Sequence, residues 1–195
     1  MIVSLNEVEM IALRAARGTG CPWGLAEEAG KAARWLAARR LPWLEALLAL
    51  LEQRGKSGAC PLLTGAGLAD LPREAIGAAG ATFEDIAAPI LLLPFLASVA
   101  TATNRTFDIR WPDVTARIDS GCTVAGERRH LLAEAATVHV AGAAAPSAGP
   151  AAHLGGVDVD DGPWRQLEAL VLPTYVPESA TSRQNGAGAG AAEDA

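Results

Sequence analysis

A glycine-containing turn between two apolar helical patterns constrains this fold more than any other feature of the sequence. Ser4 and Glu7 form a capping box that predicts the start of the first helix. Gly18 and Gly20 end that helix, and Pro22 restarts the chain as a second helix, where a missing N–H costs nothing. Because the link is short, the two helices are expected to form an antiparallel hairpin.

Both predicted helices carry an apolar stripe of helical spacing, and many of its members are small. The stripe of the first helix consists of Val8, Ile11, Ala12 and Ala15, and that of the second of Leu25, Ala29, Ala32 and Leu36. Small side chains allow two helices to approach closely. We expect Val8 and Ile11 to be buried against the stripe of the second helix.

The remaining strong periodicities predict a third helix, a small antiparallel sheet and a short C-terminal helix. The third helix begins at Pro42, and strands are predicted where apolar residues alternate. The predicted strands and the last helix cover 107–111, 114–118, 122–125, 136–140 and 164–172. The fold class is α+β, with residues 1–173 as one globular domain and 174–195 as a C-terminal segment, partly docked and then mobile.

Three stretches give weaker signals. Residues 56–81 are rich in Gly, Pro and Ala and are interpreted as ordered loop, with a short helical turn over 71–76. Residues 90–93 are compatible with a buried strand, while 95–104 predict a helix opened by Pro94. Residues 141–156 are typical of a linker or loop.

Charge and cysteine content narrow the functional classes. The formal net charge is −6 and no Lys/Arg cluster larger than a pair occurs, which argues against nucleic acid or an anionic membrane as partner. The three cysteines are widely separated, so neither a zinc site nor a disulfide framework is expected. No signal peptide pattern or membrane-spanning run is found, which favours the cytoplasm.

Adjacent carboxylates at Glu27 and Glu28 are the weak catalytic candidates. Together with Glu7 or Glu9 of the facing helix they could form a metal site or an acid/base site, since neighbouring carboxylates push their pKa values apart. The simpler interpretation is that they stabilise the helix start and pair with Lys31, because adjacent helix positions point about 100° apart.

The C-terminal segment supplies the candidate ligand-binding residues. Ser179, Ser182 and Arg183 combine hydroxyls with a guanidinium just before flexible glycines, a composition that suits a carboxylate or phosphate. Tyr175 precedes them, and an aromatic residue is unusual in a disordered tail. The alternative is a polar tail without a ligand.

Other candidate motifs give no chemical signature. The histidines His130, His139 and His153 lack metal-ligand spacing, and Gly65 with Gly67 lacks the third glycine of a dinucleotide fingerprint. No metal and no cofactor are therefore expected. The five tryptophans are interpreted as core residues, with an aromatic-lined ligand pocket as the alternative.

Two blocks of sequence resemble an uncharacterised proteobacterial family, a domain of unknown function. The first joins residues 4–9 (SLNEVE) to 23–30 (WGLAEEAG), and the second joins 174–179 (TYVPES) to Ser182, Arg183 and 186–190 (GAGAG). The resemblance implies a full-length, single-domain protein. It implies no reaction and transfers no catalytic residue.

Three classes of function are compatible with these observations. The leading hypothesis is a cytoplasmic, non-catalytic subunit or assembly partner of a small-molecule metabolic enzyme, bound to another protein or to its own copies. The alternative is a stand-alone enzyme for a small polar, possibly anionic, metabolite. A ligand-binding or regulatory module is the third. An exposed apolar patch on the helices would favour the first hypothesis.

Overall fold

A computed structural model describes residues 1–52, 58–69, 80–144, 149, 152 and 155–175. The described α-helices are α1 (Leu5–Gly18), α2 (Trp23–Ala37), α3 (Trp43–Glu52), α4 (Pro61–Ala69), α5 (Leu93–Thr103), α6 (Arg128–Leu131) and α7 (Asp161–Val171). The strands are β1 (Ile2–Val3), β2 (Ala81–Ala87), β3 (Thr106–Trp111), β4 (Val114–Ile118), β5 (Cys122–Ala125), β6 (Ala135–Ala143) and β7 (Val157–Asp158). The fold is α+β, as the sequence predicts.

The capping box at the start of α1 is present. The backbone N–H of Glu7 donates to Ser4 Oγ at 3.2 Å, and the Ser4 N–H donates back to Glu7 Oε2 at 2.7 Å. The second of these bonds stabilises the ionised carboxylate and lowers the pKa of Glu7. A capping box predicted from two residues thus determines where the first helix begins.

The first two helices form the predicted hairpin, and small residues fill their interface. Val8 of α1 and Leu36 of α2 are fully buried, whereas Ile11 and Leu25 are only half-buried at the margin. The buried small residues are Ala12, Ala15, Ala16, Ala26, Ala29 and Ala33. Gly30 marks a close approach, since a Cβ there would lie 2.8 Å from the Glu9 carbonyl oxygen.

Five strands form an antiparallel sheet in the order β2-β6-β3-β4-β5. The alternation predicted for β3 and β4 is present: Phe107 and Ile109 are fully buried, while Arg110 between Ile109 and Trp111 is exposed. In the register of β3 and β4, Phe107 lies opposite Ile118 and Asp108 opposite Arg117. One face of the sheet therefore joins the core and the other carries polar side chains.

The segment before α5 is a 3-10 turn over Pro89–Leu92, where the sequence left a buried strand open. Ile90 and Leu93 are fully buried, so the apolar run is a core element despite its irregular backbone. Pro89 and Pro94 explain the outcome, because a proline cannot donate to a central strand but fits the first turn of a helix. The turn and α5 both contact α2, and α5 also contacts β3 and β4.

Two elements occur where the sequence pattern predicts neither a regular helix nor a strand. Helix α4 lies within 56–81, and β2 begins at Ala81 and pairs with β6, with Thr82 opposite His139. Strand β6 itself continues to Ala143, into the predicted linker. The expected turn over 71–76 lies outside the described residues. Strand β2 depends on a distant partner, which explains why local periodicity does not predict it.

The C-terminal helix packs against the first helix. A Cβ on Gly18 would lie 1.8 Å from the carbonyl oxygen of Leu170, so the two backbones nearly touch. Strands β1 and β7 directly precede these two helices and pair with each other, with Val3 opposite Val157. The predicted domain limit at 173/174 falls within a 3-10 turn over Leu172–Thr174. Because the described chain stops at Tyr175, the division into two segments stays a prediction.

Candidate functional site

The structure gives one of the two catalytic candidates from the sequence, and Glu9 of the facing helix, a basic partner. Glu28 accepts a hydrogen bond from Lys31 Nζ at 2.7 Å, and the neighbouring Glu27 is exposed. On α1, Glu9 pairs with Arg34 at 2.8 Å and Glu7 caps the helix. Of these contacts, only the Glu9–Arg34 pair joins α1 to α2. An acid/base role for Glu27 and Glu28 stays an untested prediction.

The described residues include one of the four ligand-binding candidates from the sequence. This candidate is Tyr175, which is 56% exposed. Ser179, Ser182 and Arg183 lie outside the described residues, so their role in anion binding stays a prediction. Tyr175 follows the 3-10 turn, and its N–H donates to the Leu172 carbonyl at 3.1 Å.

The histidines of the described chain have structural or solvent contacts. His130 Nε2 lies 3.8 Å from Asp113, and the His130 carbonyl accepts from Trp111 Nε1 at 3.1 Å. His139 Nδ1 lies 3.0 Å from Thr82 Oγ1 on the outer face of the sheet. Within the described residues, no three His, Cys, Asp or Glu side chains group closely enough to hold a metal ion. His153 lies outside them.

The three cysteines form no disulfide and lie in different surroundings. Cys21 and Cys122 are buried, and burial raises the pKa of Cys122 to about 11, because the thiolate would lose its hydration. Cys60 is only partly buried.

We expect an alkylating reagent at neutral pH to modify Cys60 first, and to modify Cys21 and Cys122 only in denaturant. Mass spectrometry of modified peptides checks this, with Cys60→Ser as the control. Rapid modification of Cys122 in the native protein would contradict it.

An open recess lies on the outer surface of α1, between the start of α2 and the 3-10 turn after α7. Its volume is about 500 Å³. We call it the aromatic–arginine groove, and its lining consists of Leu13, Arg14, Arg17, Trp23, Pro173, Thr174 and Tyr175. It brings together one candidate from the sequence, Tyr175, and four residues of the helix hairpin.

The hairpin turn positions one wall of this groove. Trp23 is the first residue of α2, directly after Pro22, and the residue is 63% exposed. The Arg17 guanidinium lies 4.6 Å from the centre of that ring and also donates to the Cys21 carbonyl. The cation therefore stabilises the ring from one side. Leu13, Arg14 and Arg17 follow one another on the same face of α1.

The other wall comes from the end of α7. Thr174 Oγ1 donates to the Val171 carbonyl at 2.7 Å and closes the 3-10 turn that presents Tyr175. The same turn contains Leu172, which is 64% exposed. The turn packs against α1, which sets the distance between the two walls.

The expectation that all tryptophans are core residues is wrong for Trp23. Trp43, Trp111 and Trp164 are at most 6% exposed, and the indole N–H of Trp164 donates to Glu168 at 3.0 Å. Trp35 is partly buried. The exposure of Trp23 has a sequence signal that was available: it stands at the first position of a helix, beside the turn, and outside the apolar stripe of α2.

Two further cavities accompany the groove. One of about 450 Å³ lies between α2, α4 and α5; we call it the Trp35–Phe95 cavity, and its lining includes Glu28, Lys31, Trp35, Ala66, Phe95 and Ser98. The other, of about 560 Å³, lies between the α2–α3 connection and β7. Arg128 and Glu45 pair with each other in the lining of this second cavity, so their charges are already matched.

No helix in the described ranges is both long enough and apolar enough to cross a membrane.

Comparisons with known proteins give a family match over part of the chain and no activity. A search of curated proteins and one of solved structures give no match. The C-terminal block that contributed to the resemblance lies beyond the matched segment. Residues 3–89 match the family described as "Protein of unknown function (DUF3726)". The matched segment runs from β1 to the start of the 3-10 turn before α5. Over this segment, the match confirms the resemblance to a family of unknown function.

Proposed function

We propose that this chain is a non-catalytic assembly module that binds another protein through the aromatic–arginine groove. The observation that carries the proposal is the exposure of Trp23 and Tyr175 on the two walls of one recess, at 63% and 56%. Tryptophan, tyrosine and arginine are the residues most enriched among those that dominate binding energy in protein interfaces. Each offers a large rigid surface that gains when a partner removes it from water.

The charge of the groove indicates the chemistry of the partner. Arg14 and Arg17 line it, and none of its described lining residues is a carboxylate, although the whole chain has a net charge of −6. A partner that presents an Asp or Glu beside an apolar side chain would match both the guanidinium groups and the rings. That this partner is a small-molecule metabolic enzyme remains part of the proposal that rests on the sequence alone.

The same charges argue against a second copy of this chain as the occupant. In a symmetric dimer the same patch lies on both sides of the interface. Two copies of this groove would bring arginines together, and the described lining offers no carboxylate to compensate for their charge. A different protein therefore fits the groove better than self-association does.

Variants of exposed groove residues test the proposal. Tagged wild-type protein, Trp23→Ala and Arg14→Glu are used to capture partners from the source cells, and any protein bound in stoichiometric amount is purified for titration. We expect Trp23→Ala to weaken the reconstituted complex by about 30-fold or more, the loss of about 2 kcal/mol typical of a central tryptophan. Arg14→Glu should weaken it as well, because a carboxylate then faces a carboxylate.

Leu63→Ala is the matched control, since Leu63 is 62% exposed on α4 and does not line the groove. It should leave binding unchanged, and all three variants should keep the wild-type melting temperature. A complex that tolerates both groove variants would overturn the proposal. Sedimentation that shows a homodimer, lost in Trp23→Ala, would overturn the choice of partner.

A further inference from the structure

The Trp35–Phe95 cavity has apolar walls that other residues hold in place. The Arg39 guanidinium lies 3.7 Å from the centre of the Trp35 ring, and Arg39 Nη1 donates to the Trp35 carbonyl at 3.2 Å. Phe95 is 6% exposed and lies against Gly65 of α4, where a Cβ would be 2.3 Å from its ring. Both rings are therefore positioned before any ligand arrives, which lowers the entropic cost of binding.

Opposite charges occupy the edge of the same cavity. Lys31 Nζ and Glu28 Oε1 are 2.7 Å apart, and the side chains are 60% and 30% exposed. The hydrogen bond to Glu28 raises the pKa of Lys31, so the ammonium stays charged at neutral pH. An ion pair this exposed contributes little to stability, so its two members are free to exchange partners at small cost. Ser98 adds a hydroxyl to the lining.

We propose that this cavity binds a free amino acid with an apolar or aromatic side chain. The side chain would lie between Trp35 and Phe95, the α-carboxylate would bind Lys31, and the α-ammonium would bind Glu28. A ligand with both charges satisfies both members of the ion pair, whereas a ligand with one charge leaves a protein charge unmatched. The volume of about 450 Å³ suits a small metabolite.

This site is separate from the aromatic–arginine groove. Trp23 and Trp35 are twelve positions apart on α2, which corresponds to roughly 18 Å along the helix axis. The inference therefore extends the proposed function and does not depend on it. Trp23→Ala should weaken partner binding and leave amino acid binding intact, so failure of one proposal is distinguishable from failure of the other.

The test is a titration with L-phenylalanine and its one-charge analogues. Calorimetry measures the affinity, and NMR monitors the indole N–H resonance of Trp35. Loss of that resonance in Trp35→Phe assigns it. We expect saturable binding of L-phenylalanine. 3-Phenylpropionate, which lacks the ammonium, and phenethylamine, which lacks the carboxylate, should each bind about tenfold more weakly or worse. L-Glutamate, whose side chain is polar, should not bind.

Variants connect each charge of the ligand to one residue. Glu28→Gln should weaken L-phenylalanine binding by about tenfold without weakening 3-phenylpropionate binding, and Lys31→Gln should weaken L-phenylalanine binding without weakening phenethylamine binding. The matched control is Glu27→Gln, the same change at the adjacent exposed position outside the cavity lining. In Gly65→Ala, the new Cβ would lie 2.3 Å from the Phe95 ring and should displace it. This variant should weaken the binding of all three ligands.

Three results would overturn the inference. The first is an unchanged Trp35 resonance at millimolar L-phenylalanine with the wild-type protein. The second is equal affinity for L-phenylalanine and 3-phenylpropionate, which would show a site for carboxylates alone. The third is an equal effect of Glu27→Gln and Glu28→Gln, which would reduce the charge dependence to a general surface effect.

Discussion

Replacing Ala29 by arginine is expected to lower the free energy of unfolding by about 3 kcal/mol or more. Ala29 is fully buried in α2, within the most extensive helix–helix contact of the described chain. An arginine there must either overpack the interface, which typically costs about 1–3 kcal/mol, or bury a charge without a partner, which typically costs about 3–5 kcal/mol. Denaturant unfolding followed by circular dichroism measures the change.

Gly24→Arg provides the matched control on the same helix. A Cβ on Gly24 meets no atom within 4 Å, so the new side chain extends into solvent. Its charge near the helix start costs about 0.3–1 kcal/mol, and the loss of a helical glycine returns a similar amount. Near wild-type stability is expected for this variant. If Ala29→Arg behaved in the same way, the helix hairpin could not be packed as described.

Gly18→Ala should have the second largest effect, by separating α7 from α1. The new Cβ would overlap the Leu170 carbonyl oxygen at 1.8 Å, and both atoms belong to helical segments that cannot rotate away. We expect a loss of about 1–3 kcal/mol, the usual range for overpacking. Faster hydrogen exchange of the α7 amides, relative to those of β3, should accompany the loss, because the displaced element is α7.

Gly24→Ala makes the identical chemical change in open space. Alanine is the better helix former by about 1 kcal/mol, so this control should be neutral or slightly stabilised. A stabilised Gly18→Ala protein with unchanged exchange in α7 would show that propensity dominates at that position. The contact between α1 and α7 would then be looser than described.

Signals local in sequence determined a large part of this fold. The capping box at Ser4 and Glu7 is satisfied by atoms three residues apart, and the alternation in β3 and β4 belongs to strands joined by a short turn. Helix stripes with small residues likewise determined the hairpin. In each case the interacting groups are neighbours along the chain, so the pattern already contains the interaction.

Local sequence signals predict only part of the candidate site. Tyr175 is a candidate because an aromatic residue is unusual in a polar tail, and it lines the aromatic–arginine groove. Arg14 and Arg17 have no local pattern that indicates a site, and Trp23 was expected in the core. These residues become one surface because the 3-10 turn after α7 packs against α1.

The elements that only the tertiary structure decided depend on partners that are distant in the sequence. Strand β2 pairs with β6, where Ala81 lies opposite Val140, and helix α4 packs Gly65 against Phe95 of α5. Neither β2 nor α4 has a strong intrinsic preference for its secondary structure, because Gly, Pro and Ala dominate the sequence around them. Stability there comes from burial and hydrogen bonds to other elements, which outweigh weak local propensity. The sequence by itself therefore determined the helix hairpin and the central strands, whereas long-range packing decided the sheet edge, α4 and the groove.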